Sequence, residues 1–182
     1  MARPYRGAPG DQAPPSRDTA PGAMHLRLMT PTLASEDPRA PDVAEMLAEL
    51  AAYLEDLYPE DEDDPPAPWT TDSLAAFGAF LVARIDGVPA ACGGLAPMED
   101  PQTLEIVRMY VRPAHRGLGL AGQILAALET EARARGATTL LLRCGPRQPA
   151  ALKLYARTGY TQRAAFAQHR EHETNVFLEK GL

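Results

Sequence analysis

The sequence has little cysteine, only two lysines, no excess of positive charge and no long apolar run. Its two cysteines, Cys92 and Cys144, stand in apolar segments and outside any C-x-x-C pair. Two thiols in a chain of 182 residues do not make a disulfide framework. The expectation is reduced, buried thiols in a cytoplasmic protein. The formal net charge is -6. An acidic chain gains nothing from releasing counterions off a phosphate backbone, so nucleic acid is not an expected partner. No stretch approaches the ~18 apolar residues that a membrane span needs, so no membrane partner is expected. Arg3 and Arg6 are followed by no apolar segment of the kind a signal peptide carries.

Hydrophobic residues make up 45% of the chain, enough for one well-filled core. Residues 1–23, rich in Pro, Gly, Ala, Arg and Asp, lack periodicity and read as a disordered tail. Residues 24–182 read as a single domain. A first strand is expected over His25–Met29, and a helix over Asp42–Leu57 with Pro41 at its start. An acidic run from Glu60 to Asp64, followed by Pro65 and Pro66, reads as a loop. Thr71–Ala79 reads as a short helix capped by Thr70 or Thr71.

Phe80–Ile85, the turn Asp86-Gly87 and Val88–Leu95 carry a strong hairpin signal. A strand follows over Thr103–Val111, then a helix over Gly119–Arg135 stopped by Gly136. Thr138–Arg143 is a continuous apolar strand, as at the centre of a sheet. A helix over Pro149–Thr158 and strands over Tyr160–Phe166 and Asn175–Glu179 complete the order. Strand, helix, strand from Thr103 to Arg143 predicts that those two strands run parallel.

The informative stretch runs from Val111 to Gly122 (VRPAHRGLGLAG). A strand ends, a basic turn follows, and glycines lead into a helix. Glycines let backbone N–H groups converge on one concavity with no Cβ in the way. The helix N-terminus adds roughly half a positive charge, and Arg112, His115 and Arg116 add more. Together these describe a pyrophosphate seat. Gly117, Gly119 and Gly122 also match the dinucleotide fingerprint G-x-G-x-x-G. That fingerprint wants its first glycine directly after the strand and an acidic residue at the end of the next one. Here five residues separate Val111 from Gly117, and the next strand ends in Arg143-Cys144. No Lys-Ser/Thr pair follows, as a P-loop would need.

The sequence resembles the GCN5-related N-acetyltransferase (GNAT) superfamily. Arg116, Gly119 and Ala121 supply that family's Gln/Arg-x-x-Gly-x-Gly/Ala signature. EIVRMYV, Glu105 to Val111, resembles its preceding strand. Leu154, Tyr155, Gly159 and Tyr160 fit a later Leu-Tyr-x-x-x-Gly-Tyr pattern, and Gln148 is similar to the Asn or Gln many members place ahead of that helix. The resemblance implies a mixed α/β (α+β) fold. A central sheet of six to seven strands would be splayed at its parallel pair and flanked by about four helices.

The resemblance also implies acetyl-CoA as co-substrate, with no metal. The diphosphate would sit on Arg116, Gly117, Leu118, Gly119, Leu120 and Ala121. The pantetheine would lie beside Met109, Tyr110 and Val111, near Gln148. A backbone N–H on that strand would stabilise the oxyanion. Glu105 sits where some members place a glutamate base, and is otherwise a cross-strand pairing residue. The acidic run Glu60–Asp64 is the rival carboxylate. Tyr155 matches the tyrosine that gives the leaving thiolate its proton.

Tyr53, Tyr58 and Arg108 fall in the acceptor region; Arg108 would pair with a substrate carboxylate or with an internal partner. His169 and His172 lack the further ligands a metal needs. The function implied is acetyl transfer to the primary amine of a small, amino-acid-like or antibiotic-like molecule, through a tetrahedral intermediate. A non-catalytic acyl-CoA sensor, or an acetyltransferase of protein N-termini or lysines, stays open. So does a homodimer.

Overall fold

The computed structural model describes residues 30–59, 69–167 and 169–182. The strand expected over His25–Met29, the N-terminal tail and the acidic run Glu60–Asp64 lie outside the described residues. The first described strand is β1, Thr32–Ser35. Next come α1, Pro41–Leu57, and α2, Thr71–Phe77. The hairpin is β2, Phe80–Ile85, and β3, Val88–Pro97. Then come β4, Thr103–Val111, a single 3-10 turn over Pro113–His115, and α3, Leu120–Ala134. The chain closes with β5, Thr139–Cys144, α4, Pro149–Arg157, β6, Thr161–Arg163, and β7, Val176–Gly181.

Local chemistry sets these boundaries. Pro41 opens α1, where its missing N–H is no loss. Thr70 caps α2, its hydroxyl accepting from the Ser73 N–H at 3.2 Å. Asp86 and Gly87 have φ of 50° and 83°, the mirror-image turn whose twist matches a two-residue hairpin.

One sheet holds seven strands in the order β1-β2-β3-β4-β5-β7-β6. Among the described strands only β4 and β5 run parallel; the other neighbours are antiparallel. The strand expected over Tyr160–Phe166 is shorter, because β7 begins at Val176 and Arg163 already pairs with Phe177. With its partner nearly used up, the chain turns away at Ala164. Phe166 then packs edge-on against Phe177, centroids 5.6 Å apart.

Both faces of the sheet are covered. Leu104, Ile106, Leu140 and Leu142 meet Ile124, Leu125 and Leu128 of α3 on one face. Val82, Cys92 and Tyr110 meet Val43, Met46 and Leu50 of α1 on the other. Each fully buried aliphatic side chain contributes about 1.5–3 kcal/mol. Helix α3 lies close because β3 offers no side chain at Gly93. A Cβ there would stand 2.5 Å from Met109 Sδ and 2.8 Å from Ile124 Cγ2.

Candidate functional site

Strand β4 pairs with β5 only from Thr103 to Ile106, whose partners are Thr139 to Leu142. Beyond that point the two strands diverge. The cause lies on the other edge of β4. Cys92 pairs with Tyr110 and Gly94 with Val107, so β4 carries one extra residue against β3. This is a bulge, which bends its strand and increases local twist. At the bulge Arg108 takes a left-handed φ of 57°, a strain on the order of 1 kcal/mol for a residue with a Cβ. The Cys92 thiol donates to the Arg108 carbonyl at 3.4 Å, and the Arg108 guanidinium donates to the Trp69 carbonyl at 3.1 Å.

The extra residue also resets which way side chains point. Leu104 and Ile106 face α3 before the bulge, and Met109 and Val111 after it. Tyr110 is thereby turned to the α1 face. The divergent half of β4 thus borders a gap in the sheet with backbone groups that β5 does not pair.

At one end of that gap stands the head of α3. Gly117 and Gly119 have φ of 82° and 76°, and a Cβ on either would meet no protein atom within 4 Å. Their conformation, not crowding, requires glycine; the space before them is open. Gln123 donates back to the Gly119 carbonyl at 3.2 Å, which leaves the N–H groups of Leu120, Ala121 and Gly122 without partners in their own helix. Exposed amides at the positive end of a helix suit a diphosphate. Arg116 is exposed beside them; its Nε–H donates to the Val111 carbonyl at 3.3 Å. Arg112, read from sequence as part of this basic turn, is held elsewhere. Glu49 of α1 accepts from its Nε and Nη2 at 2.9 and 2.8 Å, and the Pro89 carbonyl accepts from Nη1 at 2.9 Å.

At the other end lies a cavity of about 700 Å³. Glu105, Arg108, Met109, Gln148, Tyr58 and Tyr155 all line it, so most of the sequence-predicted acceptor and chemistry residues come together. Tyr53 does not line it. Its ring lies 6.5 Å from Tyr110, with the Arg116 guanidinium 5.4 Å above it. Tyr58 is buried, and its hydroxyl accepts the Arg147 N–H at 2.8 Å. Its ring lies where a Cβ on Gly145 would be, which ties the end of α1 to the β5–α4 loop.

Glu105 is 5% exposed. Trp69 donates its indole N–H to Oε2 at 2.9 Å, and His169 Nε2 stands 3.5 Å from Oε1. Arg108 and Arg143 both line the cavity, and burial followed by the charge of Arg143 lowers the Arg108 pKa. An anion beside the two guanidiniums would offset their mutual repulsion. Tyr155 is buried, with its ring edge-on to Tyr160 at 5.6 Å. Burial pushes its phenol pKa upward, so it keeps its proton at neutral pH. Cys144 lines the cavity and is packed as well. Its thiol donates to Gln148 Oε1 at 3.5 Å, and burial pushes it up to about 11.

Sequence reasoning missed Trp69, Arg143 and the place of His169. His172 turns away, its Nδ1 2.8 Å from the Thr174 hydroxyl. Among the described residues, no group of three or more His, Cys, Asp or Glu could hold a metal ion. No described helix is long and apolar enough to cross a membrane.

Comparison with known proteins agrees with this geometry. A family model for the acetyltransferase (GNAT) family matches residues 43–160. An IAA acetyltransferase of Azospirillum brasilense is 34% identical over 152 residues, which cover 83% of this chain and 97% of that protein. A crystal structure from Klebsiella pneumoniae subsp. pneumoniae, described provisionally as an acyl-CoA N-acyltransferase, superposes with a TM-score of 0.70 at 32% identity. It covers 85% of this chain and 99% of its own. The PaiA N-acetyltransferase of Thermoplasma acidophilum, solved with coenzyme A, has a TM-score of 0.61. At 15% identity over 85% of this chain and all of its own (100%), that likeness shows the fold alone.

Proposed function

The chain belongs to the acetyltransferase (GNAT) family, and on that premise we propose that it acetylates the primary amine of a small, amino-acid-like molecule from acetyl-CoA. Membership makes it an acyltransferase. The observation that carries the finer reading is the gap between β4 and β5. It has unpartnered amides at the α3 end and a buried carboxylate at the other. A relative named for acetylating IAA supports a small acceptor.

The diphosphate binds the N–H groups from Gly117 to Ala121, with Arg116 beside them, which leads the pantetheine along β4 past Tyr110. A backbone N–H between Met109 and Val111 donates to the thioester oxygen as negative charge develops there. The acceptor arrives as an ammonium, with an ordinary pKa near ~10, and must lose a proton before it can attack. Glu105 takes that proton. The free amine attacks the thioester carbon, and the tetrahedral intermediate collapses with cleavage of the carbon–sulfur bond. Tyr155, kept protonated by its burial, supplies the proton the leaving thiolate needs and is restored by the second proton that the nitrogen sheds as the amide forms. Arg108 and Arg143 hold a carboxylate on the acceptor, and Tyr58 walls the cavity.

The test is acetyl-CoA-dependent thiol release across primary amines with and without an α-carboxylate. Carboxylated amines should show kcat/KM at least about tenfold higher, the size of one charge-assisted contact. Tight acetyl-CoA binding with no turnover on any amine would replace this reading with the acyl-CoA sensor.

A further inference from the structure

His169 stands in the loop between β6 and β7, its side chain 3% exposed. Phe166 meets its ring edge-on at 5.3 Å, and Phe177 lies 6.1 Å away. Neither ring nitrogen has a hydrogen-bond partner among the described residues. A buried polar atom left unsatisfied costs roughly 1–3 kcal/mol. If aromatic packing were the whole role, phenylalanine would fill this box without that cost. The imidazole nevertheless lines the same cavity as Glu105, with Nε2 3.5 Å from Oε1. At that separation the two groups are in contact but make no hydrogen bond.

Glu105 is the other half of the arrangement. Among the described residues its hydrogen bond comes from a neutral donor, the Trp69 indole, the charge of Arg108 lies nearby, and its partner at ion-pair distance is this histidine. We propose that His169 acts behind Glu105 as a positioning residue that receives the proton Glu105 removes from the acceptor, so that the base is a carboxylate–imidazole pair.

This rests on the reading of Glu105 as the base. The ammonium N–H bond breaks, and its electron pair stays on nitrogen. The proton binds the carboxylate, then passes from Oε1 to the lone pair of His169 Nε2. Glu105 returns to its anionic form beside an imidazolium, and no electrons change hands. The imidazolium gives up its proton to water once the amide has formed. The transfer requires a resting tautomer with its hydrogen on Nδ1, leaving the Nε2 lone pair free. The advantage is basicity: an imidazole holds a proton with an ordinary pKa of about 6.5, against about 4.3 for a glutamate, and so is better matched to neutral pH.

Other charged and titratable groups surround the pair. Arg108 comes from β4, Arg143 from β5, Glu55 from α1 with Tyr58 after it, and Tyr155 from α4. The Arg163–Glu179 ion pair joins β6 to β7, and His172 shares the loop.

The experiment measures kcat against pH for the wild type, His169→Gln, His169→Phe and Glu105→Gln, together with acetyl-CoA affinity and melting temperature. In His169→Gln the acidic limb should move down by about one to two pH units, toward the carboxylate range. Its plateau should fall at least about tenfold. Acetyl-CoA affinity should be unchanged. Should the Gln variant melt before assay, His169→Phe fills the aromatic box and carries the same test. A limb that stays in place, with or without a lower plateau, overturns the proposal and leaves His169 a packing residue. Wild-type turnover in Glu105→Gln removes the base reading itself. An inactive Glu105→Gln beside an unmoved limb in the His169 variants removes only the relay.

Discussion

Among the described residues two glutamates are buried, Glu105 at 5% exposure and Glu129 at 8%, and they are held in opposite ways. Glu129 sits on the inner face of α3 with Lys180 Nζ at 2.7 and 2.8 Å from its two oxygens. The Tyr160 hydroxyl donates to it at 3.3 Å, and Arg133 stands 3.9 Å away. Its charge is answered in full, and it ties α3 to β7. Glu105 receives one neutral hydrogen bond and a facing imidazole, at the wall of a cavity. A buried carboxylate with a full counter-charge gains nothing by taking a proton, whereas one without has capacity to spare. The first arrangement serves stability, and the second is the one we propose for proton transfer.

That contrast can be broken by experiment. The largest effect should come from Glu105→Gln. It should lower kcat about a thousandfold, within the range for a lost general base, while the melting temperature holds or rises. Thiol release and a thermal melt read both, and a large loss of stability with intact turnover would reverse the two roles. Lys180→Met should do the opposite. Leaving Glu129 buried without its ammonium should cost about 3 kcal/mol in denaturant unfolding, with little change in kcat. The double variant Lys180→Met with Glu129→Leu should recover most of that loss, because an apolar pair of similar size replaces the ions. The smallest effect should come from Tyr155→Phe. It should lower kcat about tenfold and leave acetyl-CoA affinity unchanged by titration calorimetry, because in the proposed mechanism the phenol acts only when the thiolate leaves.

Much of the frame was legible because its signals are local. The caps at Pro41 and Thr70, the Asp86-Gly87 turn and the glycines ahead of α3 each act within a few residues. The structure places all of them as expected. The bulge in β4 left a trace that went unread. Apolar residues hold phase at Leu104 and Ile106, then reappear out of phase at Met109 and Val111. A one-residue slip is what a bulge writes into an alternating strand. Arg112 misled because its charge was visible and Glu49, a helix away, was not. Tyr53 misled for a similar reason. It lies on α1, but its ring packs beneath Arg116 instead of lining the cavity.

The chain order alone therefore determined most of the described strands and helices, the parallel pair and the glycine-led head of α3, since each depends on neighbours in sequence or on the pitch of one element. Only the folded sheet decided what surrounds Glu105. Trp69, Arg143 and His169 come from three separate segments and meet because β4 bends away from β5 and the β6–β7 loop folds back over the opening. A side chain's proton affinity is set by what stands within a few ångströms, and that distance is fixed by packing, not by position along the chain.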